Sequence, residues 1–262
     1  MKIGVFDSGL GGLAIAQSII KRLPQYDYLY LGDTKRVPYG NRSQATIHEF
    51  LSEALSYLFE NDCQLIILAC NTASAEALRK SQQEYLPTHY PDRRVLGVLI
   101  PAAEAATEGP AIRKVGLLAT SSTVESGSYE RELKKRNPKV EVIAKAAPLL
   151  VPLVENDGVK YVEPILRDYL EDLKGVDSLI LGCTHYCLLK DQTRSMVTMP
   201  VISQDEVVPG KLAAYLDRHP ELEAKLSQGG SRIFQVTDLT ESYRQCACRM
   251  AGSHVDLELV RL

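Results

Sequence analysis

The sequence of 262 residues contains no long hydrophobic run. No apolar segment approaches the roughly 18 residues that a membrane-spanning helix needs. The first apolar stretch, residues 3–6, is too short for the hydrophobic part of a secretory signal, and Asp7 follows it directly. We therefore expect a cytoplasmic protein without a membrane partner, in which the six cysteines are reduced thiols and do not form a disulfide framework.

The sequence also lacks an excess of either charge. Its 30 Lys and Arg residues stand against 33 Asp and Glu residues, which gives a formal net charge of -3. Proteins that bind nucleic acid usually concentrate positive charge on one face. The short basic cluster at residues 134–136 is better explained as the polar end of a helix. We therefore expect no nucleic-acid partner.

Motifs that would hold a metal or a nucleotide are missing as well. No C-x2-C pair of the zinc-site type occurs, and Cys246 and Cys248 lie in a helical pattern in which residues i and i+2 face different ways. The glycine-rich segment at residues 9–12 has neither the G-x-G-x-x-G spacing nor the lysine of a P-loop. It can still form a helix N-terminus that attracts an anion, for which we expect a carboxylate.

Short apolar runs alternate with longer amphipathic stretches along the chain. The runs are rich in Val, Ile and Leu on both faces, as parallel strands covered by helices should be. Strand–helix alternation predicts doubly wound parallel sheets of the α/β class. The predicted strands are 2–6, 28–31, 64–68, 95–99, 114–118, 140–144, 178–181, 200–202, 231–236 and 255–260. The predicted helices include 46–60, 73–85, 128–136, 159–173, 207–216 and 238–250.

Two segments of the chain repeat at nearly the same spacing. Residues 2–8 match residues 114–120 at an offset of 112, and residues 66–70 match residues 179–183 at an offset of 113. The repeat predicts two similar α/β domains related by a pseudo-two-fold axis, with the active site in the cleft between them. We expect the first domain to comprise residues 1–97 and 208–262 and the second residues 98–207. The connections between them are expected near residues 97–101 and 204–209.

Polar and thiol side chains follow several of the predicted strands. Ligands of open parallel sheets bind beyond the carboxyl ends of the strands, so these groups should converge on one cleft. The repeat places Cys70 and Cys183 at equivalent positions, from which they would approach the cleft from opposite sides. The groups concerned are Asp7, Ser8, Cys70, Asn71, Thr120, Cys183, Thr184 and His185.

The two cysteines suit a reaction that removes a proton from one face of a carbon and delivers one to the other. Such a reaction needs two similar groups, one protonated and one deprotonated, and the ordinary cysteine pKa of about 8.5 lies near working pH. His185 lies two residues after Cys183, and Asp7 is expected near Cys70, so each thiol has a neighbour that could relay a proton. A single cysteine after a strand is more often a small buried hydrophobe, but packing gives no reason for a matched pair.

Uncharged donors lie near the ends of the predicted strands. Ser8, Asn71, Thr72 and Thr184 could orient a small zwitterion, although each could equally be a helix N-cap.

As a set, the motifs around these residues resemble those of the glutamate racemases. They are DSGLGG at 7–12, GD at 32–33 with PYG at 38–40, ACNTAS at 69–74 and GCTHY at 182–186. The resemblance implies interconversion of L- and D-glutamate for peptidoglycan synthesis by a homodimer, without pyridoxal phosphate, metal or nucleotide.

The resemblance also implies roles for individual residues. Cys70 and Cys183 would be the acid/base pair, with Asp7 beside Cys70 and His185 beside Cys183. The residues implied to bind substrate are Asp7, Ser8, Tyr39, Gly40, Asn71, Thr72, Thr184 and His185. Weaker candidates are Pro38, Thr120, Thr123 and Glu155.

Three other functions compete with this interpretation. An aspartate racemase of the same superfamily would share the cysteine pair. A cysteine hydrolase could use Cys183 and His185, but it would leave Cys70 unexplained. A non-catalytic regulatory or binding protein would need no thiol pair.

Overall fold

The computed structural model describes residues 1–109 and 112–262. Within these residues ten strands match the ten predicted apolar runs to within a few residues. They are β1 (Lys2–Asp7), β2 (Tyr28–Gly32), β3 (Cys63–Leu68), β4 (Arg94–Gly97), β5 (Lys114–Ala119), β6 (Glu141–Ala146), β7 (Ser178–Gly182), β8 (Val201–Ile202), β9 (Arg232–Val236) and β10 (Leu257–Leu259).

Helices connect the strands and cover the sheets. They are α1 (Gly12–Arg22), α2 (Gln44–Glu60), α3 (Asn71–Glu76), α4 (Leu78–Lys80), α5 (Leu86–His89), α6 (Leu99–Ala106), α7 (Ser121–Glu125), α8 (Ser128–Arg136), α9 (Leu150–Glu155), α10 (Val162–Glu171), α11 (Lys190–Met196), α12 (Gln204–Arg218), α13 (Pro220–Glu223) and α14 (Glu241–Ala251). Short 3-10 turns lie at Tyr39–Asn41, Val159–Tyr161 and Thr184–Leu189, and a π turn lies at Ser81–Tyr85. None of these helices is both long and apolar enough to span a bilayer.

The strands form two parallel sheets, which confirms the predicted α/β fold with two doubly wound units. The first sheet has the order β10-β9-β2-β1-β3-β4, and the second has the order β6-β5-β7-β8. All paired strands run parallel. The segment β2-β1-β3-β4 therefore has the same topology as β6-β5-β7-β8, so the sequence repeat corresponds to a structural one.

The first sheet is buried on both faces because its strands are apolar at successive positions. Ile3 and Val5 of β1 belong to one hydrophobic cluster, whereas Phe6 belongs to a second cluster with α2. The first cluster continues from α1 into the second sheet and includes Val115. The two units are thus packed together through a shared apolar core as well as through the polar contacts described below.

Two predicted elements have wrong bounds. The strand predicted at 95–99 ends at Gly97, and Leu99 already begins α6. The single helix predicted at 73–85 is broken into α3, α4 and the π turn. The connections expected near 97–101 and 204–209 are largely helical, because α6 begins inside the first and α12 contains the whole of the second, including Pro209. The domain division at 97/98 and 207/208 stays a prediction, and its second position falls within α12.

Candidate active site

The site lies where two neighbouring strands of each sheet end. In both units the chain passes from a central strand to one neighbour and then returns to the other side, so the order reverses between β1 and β3 and again between β5 and β7. Crevices at such reversals are the usual ligand sites of open α/β sheets. Cys70 follows β3, and Cys183 follows β7 directly. The topology therefore brings the two thiols to equivalent ends of facing units.

A cavity of about 350 Å³ opens between these strand ends. Both cysteines line it, and twelve of the fourteen candidate residues are among its walls. Those twelve are Ser8, Pro38, Tyr39, Gly40, Cys70, Asn71, Thr72, Thr120, Glu155, Cys183, Thr184 and His185. The other two, Asp7 and Thr123, are completely buried behind the walls.

Cys70 is held as a buried thiol at the start of α3. Its Sγ accepts a hydrogen bond from the backbone N–H of Ala73 at 3.4 Å and lies 3.2 Å from Oγ of Ser8. Burial, followed by the charge of Asp7, raises the pKa of Cys70 to about 12. The thiol of Cys70 is therefore protonated at neutral pH.

Cys183 faces a histidine that is itself bound to a carboxylate. Its Sγ lies 3.8 Å from Nδ1 of His185, and Nε2 of the same ring lies 2.8 Å from Oε1 of Glu155. Burial acts to lower the pKa of His185, but the hydrogen bonds to Cys183 and Glu155 outweigh it and raise that pKa well above the ordinary value. Glu155, a weaker candidate from the sequence, thus belongs to the site.

Asp7 connects the two halves of the site. Its Oδ2 accepts from the backbone N–H of Gly9 at 3.1 Å, and its Oδ1 accepts from Oγ1 of Thr184 in the other unit at 3.4 Å. Burial raises the pKa of Asp7, while nearby His185 acts in the opposite direction. The carboxyl group was expected beside Cys70, and in the structure it also reaches the loop that carries Cys183.

Backbone packing between the units is tight near His185. A Cβ built on Gly11 would lie 2.3 Å from Oγ1 of Thr184 and 2.7 Å from Nδ1 of His185. Only glycine fits at this point, because any side chain would displace the residues next to Cys183. The glycine-rich segment at 9–12 thus serves a packing role that the sequence did not reveal.

Four polar residues could have been helix caps, and that alternative is wrong. The N-cap positions belong to Gly11 for α1 and to Cys70 for α3, and the turn Thr184–Leu189 follows Cys183. Ser8, Asn71, Thr72 and Thr184 instead line the cavity.

Three threonines from the two units meet at the cavity, since Oγ1 of Thr72 lies 3.1 Å from that of Thr120 and 3.4 Å from that of Thr123.

The hydroxyl of Tyr39, a residue of the cavity wall, is already hydrogen-bonded within the protein. That hydroxyl donates to Oδ2 of Asp33 at 2.5 Å. The buried Asp33 also accepts from Nε of Arg36 at 2.6 Å and from Oγ1 of Thr237 at 2.8 Å. Asp33 appears in the sequence motifs, but no role could be given to it without knowing which side chains surround it.

Three further residues near the site escaped the sequence interpretation. Tyr129 and Gln204 hydrogen-bond to the side chain of Asn71, and Arg249 of α14 donates to the backbone oxygen of Glu155 at 2.9 Å. Each lies far from its partner in the sequence. No local signal could have identified them, because their role depends on how α8, α12 and α14 pack.

The cavity offers neutral hydrogen-bond donors, together with the imidazole of His185, to a negatively charged ligand. Among the described residues that line it, none is Lys or Arg, and hydroxyl and amide donors surround the two thiols. Within the described part of the chain, no group of three or more His, Cys, Asp and Glu side chains is arranged to hold a metal ion. The arrangement can bind a small carboxylate and exchange protons with it from two sides.

Comparison with known proteins agrees with this chemistry. The family model described as Asp/Glu/Hydantoin racemase matches residues 3–207. A glutamate racemase from Dinoroseobacter shibae is 40% identical over 276 aligned residues, which cover 99% of this chain and 99% of that protein.

Two solved structures share the fold over nearly the whole chain. Glutamate racemase isoform RacE1 from Bacillus anthracis is 32% identical, with a TM-score of 0.89 and coverage of 100% of this chain and 97% of that one. Glutamate racemase from Francisella tularensis, solved in complex with D-glutamate, is 30% identical, with a TM-score of 0.88 and coverage of 99% and 97%.

Proposed function

The chain belongs to the Asp/Glu/hydantoin racemase family and is a racemase, and from this premise we propose that it interconverts L-glutamate and D-glutamate through two cysteines. The observation that carries the proposal is the position of Cys70 and Cys183. They follow equivalent strands of two similar units, and both line one cavity. A packing role would not require a thiol at both positions.

Glutamate is favoured over aspartate by the relatives that match the whole chain, since these are named glutamate racemases. The cavity of about 350 Å³ also has room for a five-carbon dicarboxylate. Its hydroxyl and amide donors can hydrogen-bond to both carboxylates. Ser8, Thr72 and Thr184 supply hydroxyl groups to the cavity wall, and Oγ of Ser8 lies 3.2 Å from Sγ of Cys70.

In the L-to-D direction, Cys183 acts as the base and Cys70 as the acid. The Cys183 thiolate takes the α-proton, and the electron pair of the broken C–H bond stays on the α-carbon and its carboxylate. The Cys70 S–H bond then breaks toward the opposite face of that carbon, forming the new C–H bond and leaving a Cys70 thiolate. The raised pKa of Cys70 supports this assignment, because it keeps the thiol protonated before the substrate reacts.

The D-to-L direction uses the same groups in exchanged roles. After an L-to-D turnover Cys183 is protonated and Cys70 is a thiolate. Cys183 must lose its proton and Cys70 must regain one before a second L-glutamate can react. His185 lies within hydrogen-bond distance of Cys183 and can move that proton. Asp7 is the corresponding carboxyl group on the Cys70 side, where its charge acts on the thiol.

Further parts of the proposal concern the setting of the reaction. Two thiols can perform both proton transfers, so the enzyme needs no pyridoxal phosphate, metal or nucleotide. Both must be reduced, which favours the cytoplasm. All six cysteines are free thiols in the structure. As the family resemblance implies, we propose that the product D-glutamate supplies peptidoglycan synthesis and that the enzyme acts as a homodimer.

Chiral analysis of the products tests the proposal. Purified protein is incubated with L-glutamate and, separately, with L-aspartate, without any added cofactor. We expect the L-glutamate to approach an equal mixture of enantiomers, while L-aspartate reacts far more slowly. Absence of D-glutamate would refute the proposed function, and preferential formation of D-aspartate would establish the aspartate alternative.

A further inference from the structure

The side chains of Asn71, Tyr129 and Gln204 form a closed hydrogen-bonded cluster, which we call the amide–tyrosine cluster. Nδ2 of Asn71 donates to Oε1 of Gln204 at 2.7 Å, and Nε2 of Gln204 donates to Oδ1 of Asn71 at 2.6 Å. The hydroxyl of Tyr129 donates to Oδ1 of Asn71 at 2.7 Å and accepts from Nε2 of Gln204 at 2.8 Å. Every member is therefore bonded to both of the others.

The cluster is almost completely shielded from water. Asn71, Tyr129 and Gln204 are 2%, 1% and 0% exposed. Burying polar side chains lowers stability unless they are hydrogen-bonded, and apolar side chains of similar volume could fill the same space. A satisfied buried network, in contrast, holds its members in one arrangement. Apolar side chains could stabilise this region as well, but they could not fix Asn71 in one orientation. The cluster is therefore better explained by a role in positioning.

The three residues come from elements that belong to different sheets. Asn71 begins α3, which follows β3 of the first sheet, whereas Tyr129 lies in α8, after β5 of the second. Gln204 begins α12, directly after β8. The amide–tyrosine cluster therefore fixes the start of α3 to the opposite unit.

Two further groups of α3 are hydrogen-bonded to the opposite unit. Oγ of Ser128 donates to the backbone oxygen of Ala75 at 2.8 Å, and Oγ of Ser122 donates to Oε1 of Glu76 at 3.0 Å. The N-cap of this helix is Cys70. Contacts across the units thus determine where the helix that carries the Cys70 thiol lies.

The cluster also limits what Asn71 can offer to a ligand. Its Oδ1 already accepts two hydrogen bonds, one from Gln204 and one from Tyr129, which occupies both lone pairs. Nδ2 has two protons, of which Gln204 receives one. Since Asn71 lines the cavity, the second N–H can be given to a substrate carboxylate.

We propose that Tyr129 and Gln204 are positioning residues for the racemase reaction. They fix the amide of Asn71 and the first turn of α3, and they thereby hold the Cys70 thiol at the face of the substrate opposite Cys183. This inference rests on the proposed function. It differs from a general role in stability because it predicts a larger effect on the Cys70 half of the reaction than on the Cys183 half.

Ordinary racemisation kinetics cannot separate the two halves. The two enantiomers have equal free energies, so kcat/KM must be the same in both directions for every variant. An irreversible half-reaction removes this constraint. In a 3-chloroglutamate, one thiolate takes the α-proton, the electron pair forms the Cα–Cβ double bond, and chloride leaves with the electrons of the Cβ–Cl bond. The D-analogue then reports on Cys70 and the L-analogue on Cys183.

The variants Tyr129→Phe and Gln204→Met test the proposal, with Tyr28→Phe as the matched control. Tyr28 is equally buried, and its hydroxyl donates to the backbone oxygen of Leu23 at 2.9 Å, away from the cavity. Measured at saturating analogue, elimination from 3-chloro-D-glutamate should fall about ten-fold in Tyr129→Phe and further in Gln204→Met. Elimination from the L-analogue should fall less than about two-fold, and Tyr28→Phe should change neither.

The outcomes distinguish this proposal from the proposed function. If the unaltered protein does not racemise glutamate, the proposed function fails. If the unaltered protein racemises glutamate but Tyr129→Phe behaves like Tyr28→Phe, or loses both half-reactions equally, the positioning role is wrong. Circular dichroism and thermal unfolding establish that each variant is folded, and Tyr129→Phe decides the question if Gln204→Met does not fold.

Discussion

Nε2 of His185 lies 2.8 Å from Oε1 of Glu155 in the wall of the cavity. This contact fixes the imidazole ring so that Nδ1 points to the thiol of Cys183, and it stabilises the charged form of the ring. The same three groups could form the nucleophile, base and orienting carboxylate of a thiol hydrolase. Such an enzyme would not need Cys70, so replacing Cys70 by serine distinguishes a thiol hydrolase from a two-base racemase.

Glu155→Gln should lower the pKa of His185 and weaken catalysis. The carboxylate is one of the causes that raise this pKa, so its removal should make the ring lose its proton at a lower pH. We expect kcat/KM for glutamate to fall about ten-fold. Titration of His185 by NMR checks the direction of the shift. Glu163→Gln is the control, because Glu163 is exposed and forms an ion pair with Arg167. An unshifted His185 in Glu155→Gln would contradict the prediction.

Gly11→Ala should damage the site without unfolding the protein. The new Cβ would overlap Oγ1 of Thr184 and Nδ1 of His185, so the loop after β7 must move away from the cavity. Since displacements of about 1 Å can reduce catalysis about 100-fold, we expect a loss of that order in kcat/KM. Gly210→Ala in α12 is the matched control, because within the described residues its added Cβ meets nothing within 4 Å apart from its own stretch of helix. Full activity of Gly11→Ala would show that the close contact is unimportant.

The sequence predicted the strands well because parallel strands buried on both faces are short apolar runs, whatever surrounds them. It also predicted that Cys70 and Cys183 are equivalent, because the repeat aligns them without any knowledge of the packing. The break after α3 and the helix α6 depend on tertiary contacts, and they were missed.

Side-chain direction was also beyond the sequence. The hydroxyl of Tyr39 binds Asp33, and the amide of Asn71 binds Gln204. Both residues were expected at the cavity, and both line it. The hydrogen bonds that Tyr39 and Asn71 can donate to a ligand depend on these partners, which become adjacent only in the folded protein.

Asp7→Asn should make the Cys70 thiol more reactive at a given pH. Burial and then the charge of Asp7 raise the pKa of Cys70, so a neutral amide should lower that pKa and increase the thiolate fraction. Alkylation of Cys70 by iodoacetamide between pH 8 and about pH 10, followed by peptide mass spectrometry, should be several-fold faster than in the unaltered protein. Asp62→Asn, at an exposed position, is the control. An unchanged Cys70 rate would mean that Asp7 carries no charge in the folded protein.

Removing metals and cofactors should leave racemisation intact. Two thiols supply both protons, so dialysis against a chelator in the absence of pyridoxal phosphate should not change kcat/KM for glutamate. A reducing agent must be present throughout, because oxidation of either thiol would remove an acid/base group. Activity that disappears on dialysis and returns with zinc or pyridoxal phosphate would refute the two-thiol mechanism.

Cys70→Ser and Cys183→Ser should each abolish net racemisation while leaving half of the chemistry. Serine keeps the shape of cysteine, but its hydroxyl holds its proton far more strongly, so one face of the substrate loses its acid/base group. Cys70→Ser should still eliminate chloride from 3-chloro-L-glutamate through Cys183, and Cys183→Ser should still act on the D-analogue through Cys70. The controls replace the other four cysteines, and each should racemise glutamate once folding is confirmed: Cys63→Ser, Cys187→Ser, Cys246→Ser and Cys248→Ser. A thiol hydrolase would need Cys183 and not Cys70. Near-normal racemisation of glutamate by Cys70→Ser would therefore overturn the two-base mechanism.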